Sequence, residues 1–301
     1  MGPEEWVPEL TNLIVVSLQQ AALFGLLSLG LVVSFRVARF PDLTVDGSFG
    51  LGAAIAATSI HYFASPWIGT VGAFLGGAVS GLLTGVISIR LKINRLLSGI
   101  VVMTMLYTIS LRCMQRSNLP LTGSETVLSW TEALRPAEVW ITITLGSVAA
   151  IAYLLVGCLL RTDVGLHMRV SGENPRLITL LGRNVNSFIF FALALSNGLI
   201  ATSGALTAQH FGFADVNMGI GVLVIGLACV YLGEGLLKTD SIRNLLVATA
   251  AGSILYHVIK NLALRIGFAP TDLKLVTAVL VLVALGFRPL RDGAAVTDRP
   301  I

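Results

Sequence analysis

Charged residues vanish from this chain for long stretches and then return in clusters. No Asp, Glu, Lys or Arg occurs between Asp46 and Arg90, from Asn184 to Ala214, or from Val216 to Gly233. A helix needs about 20 apolar residues to cross the hydrocarbon core of a bilayer. Repeated runs of this length predict an all-α, polytopic integral membrane bundle of eight or nine transmembrane helices forming one domain over residues 1–301. The predicted spans are roughly 11–34, 45–62, 67–89, 96–113, 139–160, 185–208, 216–236, 242–262 and 272–287. A soluble protein with one buried helix would show one such run, not a series.

The breaks between runs differ in charge. Arg36 and Arg39 follow the first span, Arg90, Lys92 and Arg95 separate the third and fourth, and Arg161, Arg169, Arg176 and Arg183 separate the fifth and sixth. Lys238 and Arg243 separate the seventh and eighth, and Arg288 and Arg291 follow the ninth. Basic residues collect on the cytoplasmic side of a membrane. Every second boundary is basic, which places the N-terminus outside and the C-terminus inside. Arg112, Lys260 and Arg265 run against that pattern. The longest outside loop is 114–138, and it mixes acidic and basic residues.

Composition agrees and removes other classes. Charged residues make up 12% of the chain, against about 25% in globular domains. The net charge of +4 is accounted for at the ends of spans, so it gives no reason to expect a nucleic-acid partner. The acidic start, MGPEEWVPEL, lacks the basic segment of a signal peptide, so the first apolar run is expected to be retained. Cys113, Cys158 and Cys229 show neither metal-ligand nor disulfide spacing. The four histidines are scattered, with no catalytic or metal-binding motif. No GxxxxGK[ST] phosphate loop occurs, so any ATP used must be bound by another polypeptide.

Four stretches stand out chemically. The first is RVSGENPRLITLLGRN, residues 169–184, inside a polar cytoplasmic segment at about 161–184. Asn174 suits an N-cap, Pro175 suits the first helical position, and Gly182 can end the helix in the left-handed conformation. These predict a helix of about two turns, which needs a surface to pack on. Lipid headgroups or a docked cytoplasmic protein would each serve.

The second is RFPDLTVDGSFGLGAA, residues 39–54. Asp42 and Asp46 read either as solvated loop carboxylates or as polar groups at a broken helix that lines an aqueous path with Gly47 and Ser48. The third, residues 192–221, places Ser196, Asn197, Thr202, Ser203, Thr207 and Gln209 in an apolar span. Polar residues there usually join helices, and Asn197 is the best candidate for a pathway group. The fourth is a row of Gly77, Gly81 and Gly85, with Gly72 and Gly76 beside it, which predicts close helix packing within a subunit or across a dimer. Asp46 followed by Gly50 and Gly52 is echoed by Asp215 followed by Gly219 and Gly221. Inverted repeats leave such echoes in transporters, and chance in a glycine-rich chain is the alternative.

Several of these segments together resemble a known family. FPDLTVDGSFGLGAA, KINRLLSGIVVMTMLYTISLR, SNLP at Ser117–Pro120, GLHMRVSGENPRL, LSNGLIATSGALTAQHFGFADVNMGIG and the Gly233–Glu234 pair are similar to permease subunits of bacterial ABC importers. The class is the branched-chain amino acid and ribose type, and within it the putative tryptophan/tyrosine transport permeases. The resemblance covers about residues 13–288.

It implies a multi-pass permease of the bacterial inner membrane that moves a small organic solute, such as an amino acid, and is not an enzyme. The implied partners are a cytoplasmic ABC ATPase dimer that binds the ATP, a second permease copy, and an extracytoplasmic binding protein, with the lipid bilayer around them. Gly165, Arg169, Gly172, Glu173, Asn174, Pro175 and Leu177 then fall on the ATPase-coupling segment. Asp46, Gly47, Ser48 and Phe49, with Asn197, Asp215 and Asn217, are the expected translocation pathway. No cofactor or metal is expected in this chain. Arg95 departs from the smaller residue or proline common in the family. An ion-coupled secondary transporter or channel is the rival, with Asp46, Asp215 or Glu234 as its ion site.

Overall fold

The computed structural model describes residues 3–132, 134–239, 241–269, 272 and 275–282. Helix α1 (Pro3–Leu31) runs into a π-helical turn (Val32–Val37), and α2 (Val45–Phe63), α3 (Pro66–Ile89) and α4 (Arg95–Met114) follow. After the single turn α5 (Ser129–Glu132) comes α6 (Ala137–Leu159). Two short helices, α7 (Asp163–Glu173) and α8 (Pro175–Leu180), lead into α9 (Val185–Phe211). Helices α10 (Val222–Leu236), α11 (Ile242–Ile266) and α12 (275–282) end the described chain. The one sheet among the described residues pairs β1 (Asn118–Pro120) antiparallel with β2 (Phe213–Asp215), Leu119 opposite Ala214.

Seven helical segments among the described residues are long and apolar enough to cross a membrane. α2 is an eighth long helix of 19 residues. Its glycines, alanines and serines keep its hydropathy modest, and protein rather than lipid surrounds most of it. The chain is thus a multi-pass helical membrane protein. Within the predicted ninth span, 272–287, residues 272 and 275–282 are described, the latter as α12, and the rest lies outside the described residues.

Local chemistry explains where the helices begin and stop. Asn94 accepts from the Leu96 N–H at 2.9 Å to start α4, and Ser241 accepts from the Asn244 N–H at 3.2 Å to start α11. Pro66 opens α3, where its missing donor costs nothing. Gly212 (φ 75°) and Gly267 (φ 107°) end α9 and α11 in the left-handed region that glycine tolerates.

α9 is the central post, with α1, α2 and α3 packed around it. The glycine row on α3 faces it: a Cβ on Gly77 would lie 2.2 Å from the Asn197 carbonyl oxygen, and one on Gly81 2.1 Å from that of Leu193. Gly204 of α9 meets Phe49 of α2 in the same way, at 2.0 Å from its carbonyl. The small-residue rows therefore seat helices within the subunit, which resolves the alternative left open by the sequence.

Two chain breaks lie inside the bundle. α2 begins level with Ser80–Thr84, in the C-terminal half of α3, because Thr44 Oγ1 bonds Thr84 Oγ1 and Ser48 Oγ bonds Ser80 Oγ, both at 2.7 Å. α3 continues to Ile89, about 8 Å beyond Thr84 at 1.5 Å per residue. The 38–44 loop is therefore re-entrant. On the other side, α10 has 15 residues, a length of about 22 Å, short of the ~30 Å core. Its N-terminus begins against Asp46, and residues 212–221 reach it as a short strand and a 3-10 turn.

Candidate functional site

Asp46 joins the two breaks. Its Oδ2 accepts from the Gly221 N–H and its Oδ1 from the Leu223 N–H, each at 2.9 Å. Both donors belong to the first turn of α10, where helical N–H groups lack partners and the dipole favours a carboxylate. Gly221 takes φ 90° to turn the chain into the helix, and a Cβ on Gly219 would lie 2.0 Å from the Asp46 carbonyl oxygen. The two stretches that echo each other in sequence thus touch at this point.

Asp42 is fully buried, so the solvated-loop reading does not hold for it. Its Oδ1 accepts from the Thr44 N–H at 2.8 Å and its Oδ2 from Asn197 Nδ2 at 2.7 Å. Asn197 Oδ1 accepts from Ser48 Oγ at 2.7 Å. A hydroxyl has one proton, so with Ser48 donating to Asn197 its contact with Ser80 draws on the Ser80 proton, for which Gly77 O, also at 2.7 Å, competes. A connected run of polar groups, Ser80, Ser48, Asn197 and Asp42, therefore crosses α3, α2, α9 and the re-entrant loop. Asn197 is fully buried within this network. Phe49 is also fully buried and stacks on Phe24, ring centroids 5.9 Å apart. By sequence Asn197 resembles an ordinary helix-joining amide, and no local signal marks Asp42 as its partner.

A cavity of about 220 Å³ opens beside the network. Asp46, Gly47 and Gly50 line it from α2, Met103, Thr104, Tyr107 and Ser110 from α4, and Val216, Gly219 and Ile220 from the 3-10 segment. Sequence reasoning missed the α4 side of this cavity. Thr104, Thr108 and Arg112 are exposed on α4 at intervals of four residues, a polar stripe on one helix face. Asp215 and Asn217 lie outside the cavity, at the mini-sheet: Asp215 caps the 3-10 turn by accepting from the Asn217 N–H at 2.8 Å, and Asn118 Nδ2 donates to it at 3.4 Å. Glu234 pairs with Arg36, whose guanidinium also lies 5.4 Å from the Tyr231 ring centroid.

The polar segment before α9 forms two helices where sequence signals indicated one. Thr162 caps α7, and Asn174 caps α8 by accepting from the Leu177 N–H. Gly182 (φ 69°) closes α8, with Gly182 N–H donating to Thr179 O and Arg183 N–H to Ile178 O, the paired bonds of a Schellman ending. The capping signals around Pro175 were legible. The earlier helix was not, because its only start signal is Thr162.

α7 is tied tightly to the bundle. A Cβ on Gly165 would lie 2.3 Å from Leu159 O, and one on Gly172 2.4 Å from Val37 O. Glu173 pairs with Arg39 at 3.1 Å, and Arg95 donates to Arg39 O at 3.1 Å while lying 5.1 Å from the Phe40 ring centroid. Arg95 thus braces the re-entrant loop. Arg169 is exposed on α7. α8 buries Ile178 but leaves Leu177 44%, Leu180 84% and Leu181 60% exposed.

A multi-pass bundle with two internal chain breaks, a cavity at their junction and a braced helix pair on its basic side defines a transport permease. Residues 13–286 match the family described as the permease component of branched-chain amino acid transport systems, and the chain belongs to that family. It is 37% identical over 272 residues to a tyrosine transport system permease protein of Clostridioides difficile (strain R20291), covering 90% of each chain. It is 24% identical over 274 residues to the ribose import permease protein of Escherichia coli (strain K12), covering 89% of this chain and 83% of that one. Among solved structures, PsaBC from Streptococcus pneumoniae in complex with Fab shares the fold, with TM-score 0.54 and 12% identity over 92% of this chain and 90% of that one.

Proposed function

We propose that this permease is driven by a separate ABC ATPase that grips α7 and α8 from the cytoplasm of a bacterial inner membrane. ATP is bound by that partner, a binding protein delivers solute from outside, and two permease copies face each other across the path. The observation that carries the reading is the apolar face of α8. Three leucines point outward from a two-turn helix whose ends are both capped, on a rigid mount. Gly172 against Val37 and Glu173 on Arg39 connect that mount to the re-entrant loop. The loop in turn holds Asp42, Asn197 and Ser48. Movement of α7 is passed to the cavity at Asp46 through these contacts.

The polar stripe of α4 supports a paired path, since a second copy would shield Thr104 and Thr108 from lipid. An aromatic amino acid is the proposed solute, supported by the tyrosine permease relative and by Tyr107 in the cavity. The test is a photo-crosslinker at position 180 in native membranes. It is expected to trap a chain bearing a GxxxxGK[ST] loop, and Leu177→Asp is expected to abolish the adduct. Adducts with lipid alone would overturn the docking role.

A further inference from the structure

We propose that the groove between α1, α6 and α11 holds one anionic phospholipid of the cytoplasmic leaflet. The inference does not depend on the transport reading. The groove has a volume of about 510 Å³. Its floor is made of small residues, among them Gly25, Ala149, Gly157 and Ala250, and Leu154, Val247 and Ile254 form exposed walls. Gly146 opens into it: a Cβ there would meet nothing within 4 Å.

The groove is polar at one end only. Tyr153 donates its hydroxyl proton to Gly25 O at 3.1 Å, so the floor offers no free donor. At the outer end Gln19 Nε2 is spent on Thr142 Oγ1 and Glu138 O, each at 3.1 Å. At the other end stand Arg161, just past α6, and Arg243, in the first turn of α11. Both are exposed, and neither forms a salt bridge among the described residues. Both lie on the basic side of the bundle.

An apolar slot with two cations at its cytoplasmic mouth matches a lipid with acyl chains and a negative headgroup.

Native mass spectrometry of the purified chain tests the idea, with phosphatidylglycerol and phosphatidylcholine of identical acyl chains added in competition. Each basic residue near an anionic headgroup is worth about fivefold, so phosphatidylglycerol should be retained about 30-fold over phosphatidylcholine. Arg161→Gln with Arg243→Gln should bring the ratio near unity. Ala150→Trp, at an exposed groove position, should remove both lipids.

A second readout locates the lipid and needs only a Cys113→Ala background. Cys158 lines the groove and is exposed, whereas Cys229 is buried. A fluorophore on Cys158 should be quenched saturably by brominated phosphatidylglycerol and only weakly by the brominated phosphatidylcholine. Equal retention and equal quenching of the two lipids would overturn the proposal. So would crosslinking of Cys158 to a second protein chain filling the groove.

Discussion

Asn197→Ala tests the buried network most sharply. The substitution removes two bonds of 2.7 Å, one to Asp42 Oδ2 and one from Ser48 Oγ, and a third of 3.1 Å to Leu193 O, a carbonyl already inside the α9 ladder. Their costs are unequal. Ser48 can redirect its proton to Ser80, and Ser80 can donate instead to Gly77 O, which already lies 2.7 Å from its hydroxyl. Asp42 Oδ2 has no such alternative and is left buried. Hydrogen bonds between helices in membranes average about 0.6 kcal/mol, whereas a buried polar atom left without its partner costs about 1–3 kcal/mol. Asn197→Ala is therefore expected to cost about 2–3 kcal/mol, nearly all through Asp42.

The assay is reversible unfolding in mixed micelles, followed by circular dichroism, for Asn197→Ala, Asp42→Ala and the double variant. With Asp42 already removed, Asn197→Ala should cost under about 1 kcal/mol, leaving a coupling energy of about 1.5–2 kcal/mol. Additive single costs would refute the reasoning. So would an Asn197→Ala cost near the membrane average.

Other expectations follow from the same geometry. Gly204→Val should abolish folding, since its Cβ would sit 2.0 Å from Phe49 O, while Gly146→Ala should be neutral within about 0.5 kcal/mol; expression and monodispersity in detergent report both. Asp46→Asn places an amide donor against one of two backbone donors, so it should loosen the start of α10 and lower uptake, read by faster hydrogen exchange at 221–225. Glu173→Arg should leave stability within about 0.5 kcal/mol, as an exposed pair contributes little, yet reduce ATP-driven uptake severalfold. Leu180→Asp should leave the melting temperature unchanged and remove ATPase association in pull-down.

The helices were legible because little besides a membrane crossing demands a charge-free run of span length. α3, α4 and α9 begin within a residue of their predicted starts, since Pro66, Asn94 and Asn184 mark those ends chemically. α8 was legible for the same reason. The breaks were harder to read. Asp46 announces itself as an acid in an apolar run, but nothing local shows that its partners lie 175 and 177 residues away. Asp42 read equally well as a solvated loop carboxylate because burial depends on the tertiary depth of the 38–44 loop. The cavity face of α4 stayed hidden because Thr104 and Tyr107 read as ordinary membrane-helix residues. The glycine row could not reveal its partner, because close approach to α9 and close approach to another subunit place the same demand on sequence.

The central claim is that force enters through α7 and α8 and reaches the Asp46 cavity. Uptake of labelled tyrosine into proteoliposomes containing the permease with its ATPase and binding protein tests it directly. The account predicts uptake that requires ATP and is lost in Leu180→Asp at unchanged protein incorporation. Uptake by the permease alone under an ion gradient, equal with and without ATP and indifferent to Leu180→Asp, would contradict it.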